Sequence, residues 1–112
     1  MKNYRSSVPK MTQERVVSTH ESNGQKKKAE YVLNGEVVGV RWFDKDGEIE
    51  AETPLKSGLI HGTQYRFDKH FDGTLRVAFA EPYRSGLAHG TARQWDGETL
   101  IGAPTLWRVE RE

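Results

Sequence analysis

A chain of 112 residues that is 35% hydrophobic and 29% charged, with a mean hydropathy of −0.79, makes one domain and has no room for two ordinary cores. The absence of cysteine excludes a disulfide framework, thiolate zinc sites and a cysteine nucleophile, and a net charge of +1 gives no general basis for nucleic-acid binding. No run approaches the roughly eighteen apolar residues of a membrane helix. The N-terminal region has no apolar stretch between a basic start and a small-residue cleavage site, so no signal peptide is expected and a cytoplasmic location is.

Residues 1–13 have no periodicity and read as an N-terminal tail, with Pro9 arguing against a buried strand. The repeat domain is expected over 14–112. A weak strand near 14–20 precedes strands near 26–33, 36–43, 48–56, 59–67, 74–84, 87–95 and 98–108, supported by apolar–polar alternation and bounded by turn residues. Helix is disfavoured because eleven glycines fall between Gly24 and Gly102. Any ordinary helix there would carry interior glycines at about 1 kcal/mol each. Seven of these glycines follow Asn, Asp or Ser, at Gly24, Gly35, Gly47, Gly58, Gly73, Gly86 and Gly97. Such pairs form tight hairpin turns, whose central positions need positive φ.

The turns are periodic. Gly24 to Gly47, Gly35 to Gly58 and Gly39 to Gly62 are each 23 residues apart, and Gly58 to Gly86 and Gly62 to Gly90 are 28. The stretches Ser57–Thr63 and Ser85–Thr91, SGLIHGT and SGLAHGT, are nearly identical. A fixed period in this range means stacked repeats. The expected fold is all-β: a single-layer antiparallel meander of stacked β-hairpin repeats, with a period of 23 and one unit of 28. On the glycine alignment, Val38, Val40 and Trp42 share a column with His61, Thr63 and Tyr65, and with His89, Thr91 and Arg93. Gly39, Gly62 and Gly90 fall inside strands, where a glycine marks a bulge or a close approach. A ring such as Trp42 or Phe67 is expected to lie across one of them.

Units of the form N-G-x8–9-N/S-G-x-x-x-G, each followed by an aromatic-rich strand, resemble the MORN repeat in its shorter bacterial variant, found in YwqK-type antitoxins. The matching stretches run from Gly24 to Phe43, Gly47 to Phe67 and Gly73 to Trp95, with a partial unit from Gly97. The resemblance implies a non-enzymatic hairpin array that works as an interaction module. Some members of that family bind membrane lipid or phosphoinositide, others scaffold proteins, and the bacterial variant is associated with antitoxin or immunity roles.

The residues themselves offer little catalytic chemistry. His61 and His89 share one repeat slot; two imidazoles there could bind a metal, but no spacing supplies a third ligand, and hydrogen bonding to a turn is the plainer role. Glu48, Glu50 and Glu52 alternate along one strand and so are expected to share a solvent-facing side. Glycosidase chemistry would need a cleft, which a single layer lacks. No nucleophile elbow, P-loop, dinucleotide fingerprint or metalloprotease motif occurs. No enzyme activity, catalytic residue, cofactor or metal is expected.

Aromatic and Arg residues are the better signal, since they dominate binding hot spots. Stacking rings beside arginines also suit single-stranded nucleic acid, but the charge balance after residue 28 is negative, so no nucleic-acid partner is expected. Candidate binding residues are Trp42, Tyr65, Arg66, His70, Arg93 and Trp95. Arg93 breaks an aromatic column, and His70 lies in the inserted turn 69–72. The leading expectation is a protein partner, most specifically a toxin blocked by an antitoxin or immunity protein. The alternative is a peripheral module for anionic lipid that uses Lys26, Lys27 and Lys28. Those lysines are placed on an end strand, where they also discourage edge-to-edge pairing. Oligomeric state is left open.

Overall fold

The structure, a computed structural model, describes residues 1–97 and 99–102. Ten strands follow in chain order: β1 (Gln13–Thr19), β2 (Lys26–Leu33), β3 (Glu36–Phe43), β4 (Ile49–Lys56), β5 (Leu59–Ile60), β6 (Gly62–Lys69), β7 (Leu75–Arg84), β8 (Leu87–Ala88), β9 (Arg93–Asp96) and β10 (Thr99–Gly102). They form one open antiparallel sheet in the order β1-β2-β3-β4-β6-β7-β9-β10, with β5 paired to β4 and β8 to β7. The protein is thus all-β, a single-layer hairpin meander, among the described residues. No helix there is long and apolar enough to cross a membrane. Of the strand expected over 98–108, positions 99–102 form β10; residue 98 and the remainder, Trp107 included, lie outside the described residues.

All seven expected turn glycines have positive φ. At Asn34-Gly35, Ser57-Gly58 and Ser85-Gly86 both residues do, the geometry of the two-residue turn that matches strand twist. The opposite end of the sheet uses longer turns closed through the residue that opens them. The Gly47 amide donates to the Asp44 carbonyl (3.1 Å), and the Asp44 carboxylate accepts from the Asp46 and Glu48 amides (2.9 Å each).

The strands expected over 59–67 and 87–95 are each split, at His61 and at His89–Ala92. The cause is proline. Pro54 and Pro82 have no N–H for a ladder, so the facing strand steps aside there. The His61 and His89 amides donate to the Pro54 and Pro82 carbonyls (3.1 and 3.0 Å), and the following glycines take φ of +116° and +92°.

These breaks and the bulges reset which side chains share a face. Arg41 lies opposite Glu52, Glu52 opposite Tyr65, Tyr65 opposite Ala80, and Ala80 opposite Arg93, so these five define an inner face. The adjacent row, Lys28, Trp42, Ala51, Arg66, Phe79 and Gln94, defines the outer face. Trp42 therefore does not share a column with Tyr65 and Arg93. The inner-face repeat runs from Phe43 to Phe67, one residue longer than the glycine period, and that one residue reverses the face. Similarly, the bulge where Phe43 meets Ile49 breaks the alternation of β4. Glu52 is fully buried on the inner face while Glu50 is exposed and lies against Trp42 on the outer one, so the three glutamates do not line one solvent-facing side.

The N-terminal residues supply a second layer over the inner face. Val8 is buried with Ala29, Tyr31 and Phe43, and Tyr4 packs edge-on against Tyr65 and Phe67, with centroids 5.0 and 5.1 Å away. A Cβ on Gly39 would meet Val8 Cγ2 at 2.5 Å, and one on Gly62 would meet Ser7 Cβ at 2.6 Å. The close approach expected at these strand glycines is therefore made by the chain's own N-terminus and not by Trp42 or Phe67. Finally, β1 pairs outside β2, so Lys26, Lys27 and Lys28 are on an interior strand and not at the sheet end.

Candidate binding faces

On the inner face the dominant feature is Glu52, with a relative exposure of 0%. Its carboxylate accepts from Arg41 Nε (2.8 Å), the Tyr4 hydroxyl (2.6 Å) and the Ser6 hydroxyl (2.9 Å). A carboxylate so enclosed survives only because every partner is present. Burial opposes the charge on Arg41, but hydrogen bonding and charge from Glu52, helped by Tyr31, hold its pKa above the ordinary value. The Tyr65 hydroxyl grips the segment's backbone, donating to the Arg5 carbonyl (2.9 Å) and accepting from the Arg5 amide (3.1 Å). The Thr63 amide, opposite the break in β4 pairing, donates to Ser7 Oγ (3.1 Å). This cluster ties the N-terminal segment to the sheet.

Burial, and then hydrogen bonds to Glu52 and to Glu14, push the Tyr4 and Tyr31 phenols up from 10.0 to about 12. The fold favours the neutral phenol. Its contribution is complete below pH 10 and is lost as pH rises through about 12. Two of the four tyrosines are therefore expected to ionise late in an ultraviolet titration. The unfolding midpoint should fall across that interval, and fall less in a Tyr4→Phe, Tyr31→Phe double variant; equal slopes would refute the assignment.

Beside the N-terminal segment the described residues of the inner face bound a groove of about 310 Å³, lined by Asn3, Thr63, Tyr65, Ala80, Pro82, Thr91, Arg93 and Trp95. Three of the six candidates, Tyr65, Arg93 and Trp95, meet here. Trp42 and Arg66 meet instead on the outer face, with Glu50, Ala51, Thr53 and Gln64, around a shallow depression of about 380 Å³. Phe79 stands opposite Arg66 on the next strand, and the Lys28 ammonium lies 5.7 Å from the Trp42 ring centroid. His70 joins neither group. Its half-buried ring lies against Gly97, 3.2 Å from where a Cβ would be, and its backbone closes the Gly73 turn. Next to it Phe71 is fully exposed.

His61 serves the repeat: its Nδ1 accepts from the Ser85 amide (3.1 Å), joining one hairpin tip to the next, which places the proton on Nε2. Among the described residues no three His, Cys, Asp or Glu stand close enough to hold a metal ion. The lysines are divided. A bulge at Lys27 turns Lys26 toward Glu14 (2.8 Å) and the Phe43 ring (4.5 Å), while Lys28 stays on the outer face. The Lys26 and Tyr31 hydrogen bonds hold the Glu14 carboxyl below its ordinary value.

The residues missed by pattern reading are Tyr4, Ser6, Ser7 and Val8, which carry no periodicity, and Glu52, which resembles any strand glutamate. One signal was available: Gly39 and Gly62 announced a close approach. No family model, curated protein sequence or solved structure matches the chain.

Proposed function

We propose that this protein is a non-enzymatic binding module that covers a surface of a protein partner with its outer sheet face. The observation that carries this reading is the grouping of Trp42 on β3 with Arg66 on β6, in one row on either side of Ala51, on a face that no described segment covers, with Glu50, Gln64 and Phe79 around them. Aromatic and Arg anchors amid polar groups are what protein hot spots are made of. The likeness of the repeat units to MORN repeats supports the more specific form, an antitoxin or immunity protein that inhibits by covering its target. Inhibition of this kind needs no chemistry of its own. The lipid reading has less support, because the lysines it requires are split between faces and Lys26 is already paired.

Affinity capture from the native host is expected to yield one stoichiometric protein partner. Trp42→Ala or Arg66→Glu should weaken that complex at least tenfold, or about 1.4 kcal/mol. Expression of the partner alone should be toxic and co-expression should relieve it. A protein that stays partnerless, or a complex indifferent to both substitutions, would overturn the proposal. Retention on anionic vesicles at low salt, lost with Lys27→Glu and Lys28→Glu, would favour the lipid alternative.

A further inference from the structure

The inner face presents an Arg and a Tyr flanking a central position twice, in opposite order, once around a carboxylate and once around an alanine. In the first, Glu52 on β4 lies between Arg41 on β3 and Tyr65 on β6, and its charge is met by Arg41 and by two hydroxyls of the N-terminal segment. In the second, one 28-residue unit later, Ala80 on β7 lies between Tyr65 on β6 and Arg93 on β9. The carboxylate is deleted, and the cation stands on the other flank, on β9, with Tyr65 on the flank that Arg41 takes in the first. Where the missing side chain would project, the groove of about 310 Å³ opens beside Trp95. Arg41 is matched by Glu52, whereas exposed Arg93 has no ion-pair partner among the described residues. A guanidinium facing a space of this kind recognises a carboxylate, often by two parallel hydrogen bonds.

The N-terminal segment shows the form of ligand this face accepts. Residues 4–7 have no regular structure and are held through the Arg5 backbone, with Ser7 standing over Gly62. Among the described residues Gly90, the repeat partner of Gly62, is approached only by Pro82, so none of them takes the place in this unit that Ser7 takes in the other. Asn3 borders the groove, which makes it continuous with a surface already holding an extended peptide.

We propose that this groove binds an extended acidic peptide segment, with an Asp or Glu carboxylate placed over Ala80 and paired to Arg93, and a small residue over Gly90. The site is on the opposite face from Trp42 and Arg66 and does not depend on the reading given for them.

Two pools of nonapeptides, acetylated and amidated, provide the test. The central residue is Glu in one and Gln in the other, and all remaining positions are uncharged mixtures. Passed over the immobilised full chain at low ionic strength, the Glu pool is expected to be retained at least about tenfold more than the Gln pool and to shift the Trp95 indole N–H resonance. Ala80→Glu restores an internal carboxylate and should abolish retention. Arg93→Gln, an exposed change, should do the same and keeps the test decisive if Ala80→Glu fails to fold. Trp42→Ala should retain the Glu pool in full. Equal retention of the two pools, or retention unaffected by Arg93→Gln, overturns the proposal. So does inorganic phosphate binding at Arg93 more tightly than the Glu pool, which would mark a simple anion site.

Discussion

Glu52→Ala is expected to destabilise the protein by about 3–5 kcal/mol, the usual cost of removing one partner from a buried ion pair. Two separate losses combine. Arg41, half-buried and lying 4.5 Å from the Tyr31 ring centroid, is left without its anion. The hydroxyls of Tyr4 and Ser6 lose their acceptor, so the segment that roofs the inner face is released. Small domains have only about 5–15 kcal/mol in total, so the Ala variant is expected to lose a large share of its stability. Glu52→Gln keeps an acceptor and the shape, and should cost less, about 1–3 kcal/mol. Urea midpoints measure both, and trypsin cleavage after Arg5 reports release of the segment. Cleavage should accelerate well before the sheet unfolds. A Glu52→Ala protein as stable and as protease-resistant as the parent would show that the pair contributes nothing.

The second large effect concerns the glycines beneath that segment. In Gly39→Ala the new methyl would stand 2.5 Å from Val8 Cγ2 at an ordinary backbone conformation, so the clash is wholly steric. Its cost should fall in the overpacking range of about 1–3 kcal/mol, and most of it should be recovered by adding Val8→Ala. Gly62→Ala meets Ser7 Cβ at 2.6 Å and must also hold φ at +116°. Its cost should therefore be larger, with about 1–3 kcal/mol from backbone strain alone, and Ser7→Gly should rescue it only in part. Gly90→Ala provides the control: φ is +92° and the nearest contact among the described residues is Pro82 Cγ at 3.3 Å. Strain without displacement of the segment should make it the milder of the two left-handed positions. Full rescue of Gly62→Ala by Ser7→Gly would remove backbone strain from the account, and no rescue of Gly39→Ala by Val8→Ala would remove the steric term.

Hairpins were legible because their determinants are local. Asn34-Gly35 and Ser57-Gly58 adopt the positive φ pairs their residues favour, whatever lies around them. Face assignment was legible only between bulges. A period-two pattern inverts whenever one strand gains a residue, and it does so at Gly62 and at Glu50, next to Ile49, which is why Trp42 left the Tyr65 column and Glu50 left that of Glu52. The candidate list was accordingly divided: Tyr65, Arg93 and Trp95 converge in one groove, Trp42 and Arg66 on the far side, and His70 props a neighbouring turn.

By itself the sequence determined an all-β hairpin meander, its turns and its order of strands, because each of these follows from residues within one unit. Only the tertiary structure decided which face is closed and by what. Tyr4, Ser6 and Arg5 reach partners 46 to 60 residues away, and nothing in a segment as irregular as 1–13 encodes that reach. The same contacts make Glu52 the buried centre of the inner face, while Ala80 and Arg93 border a groove beside it.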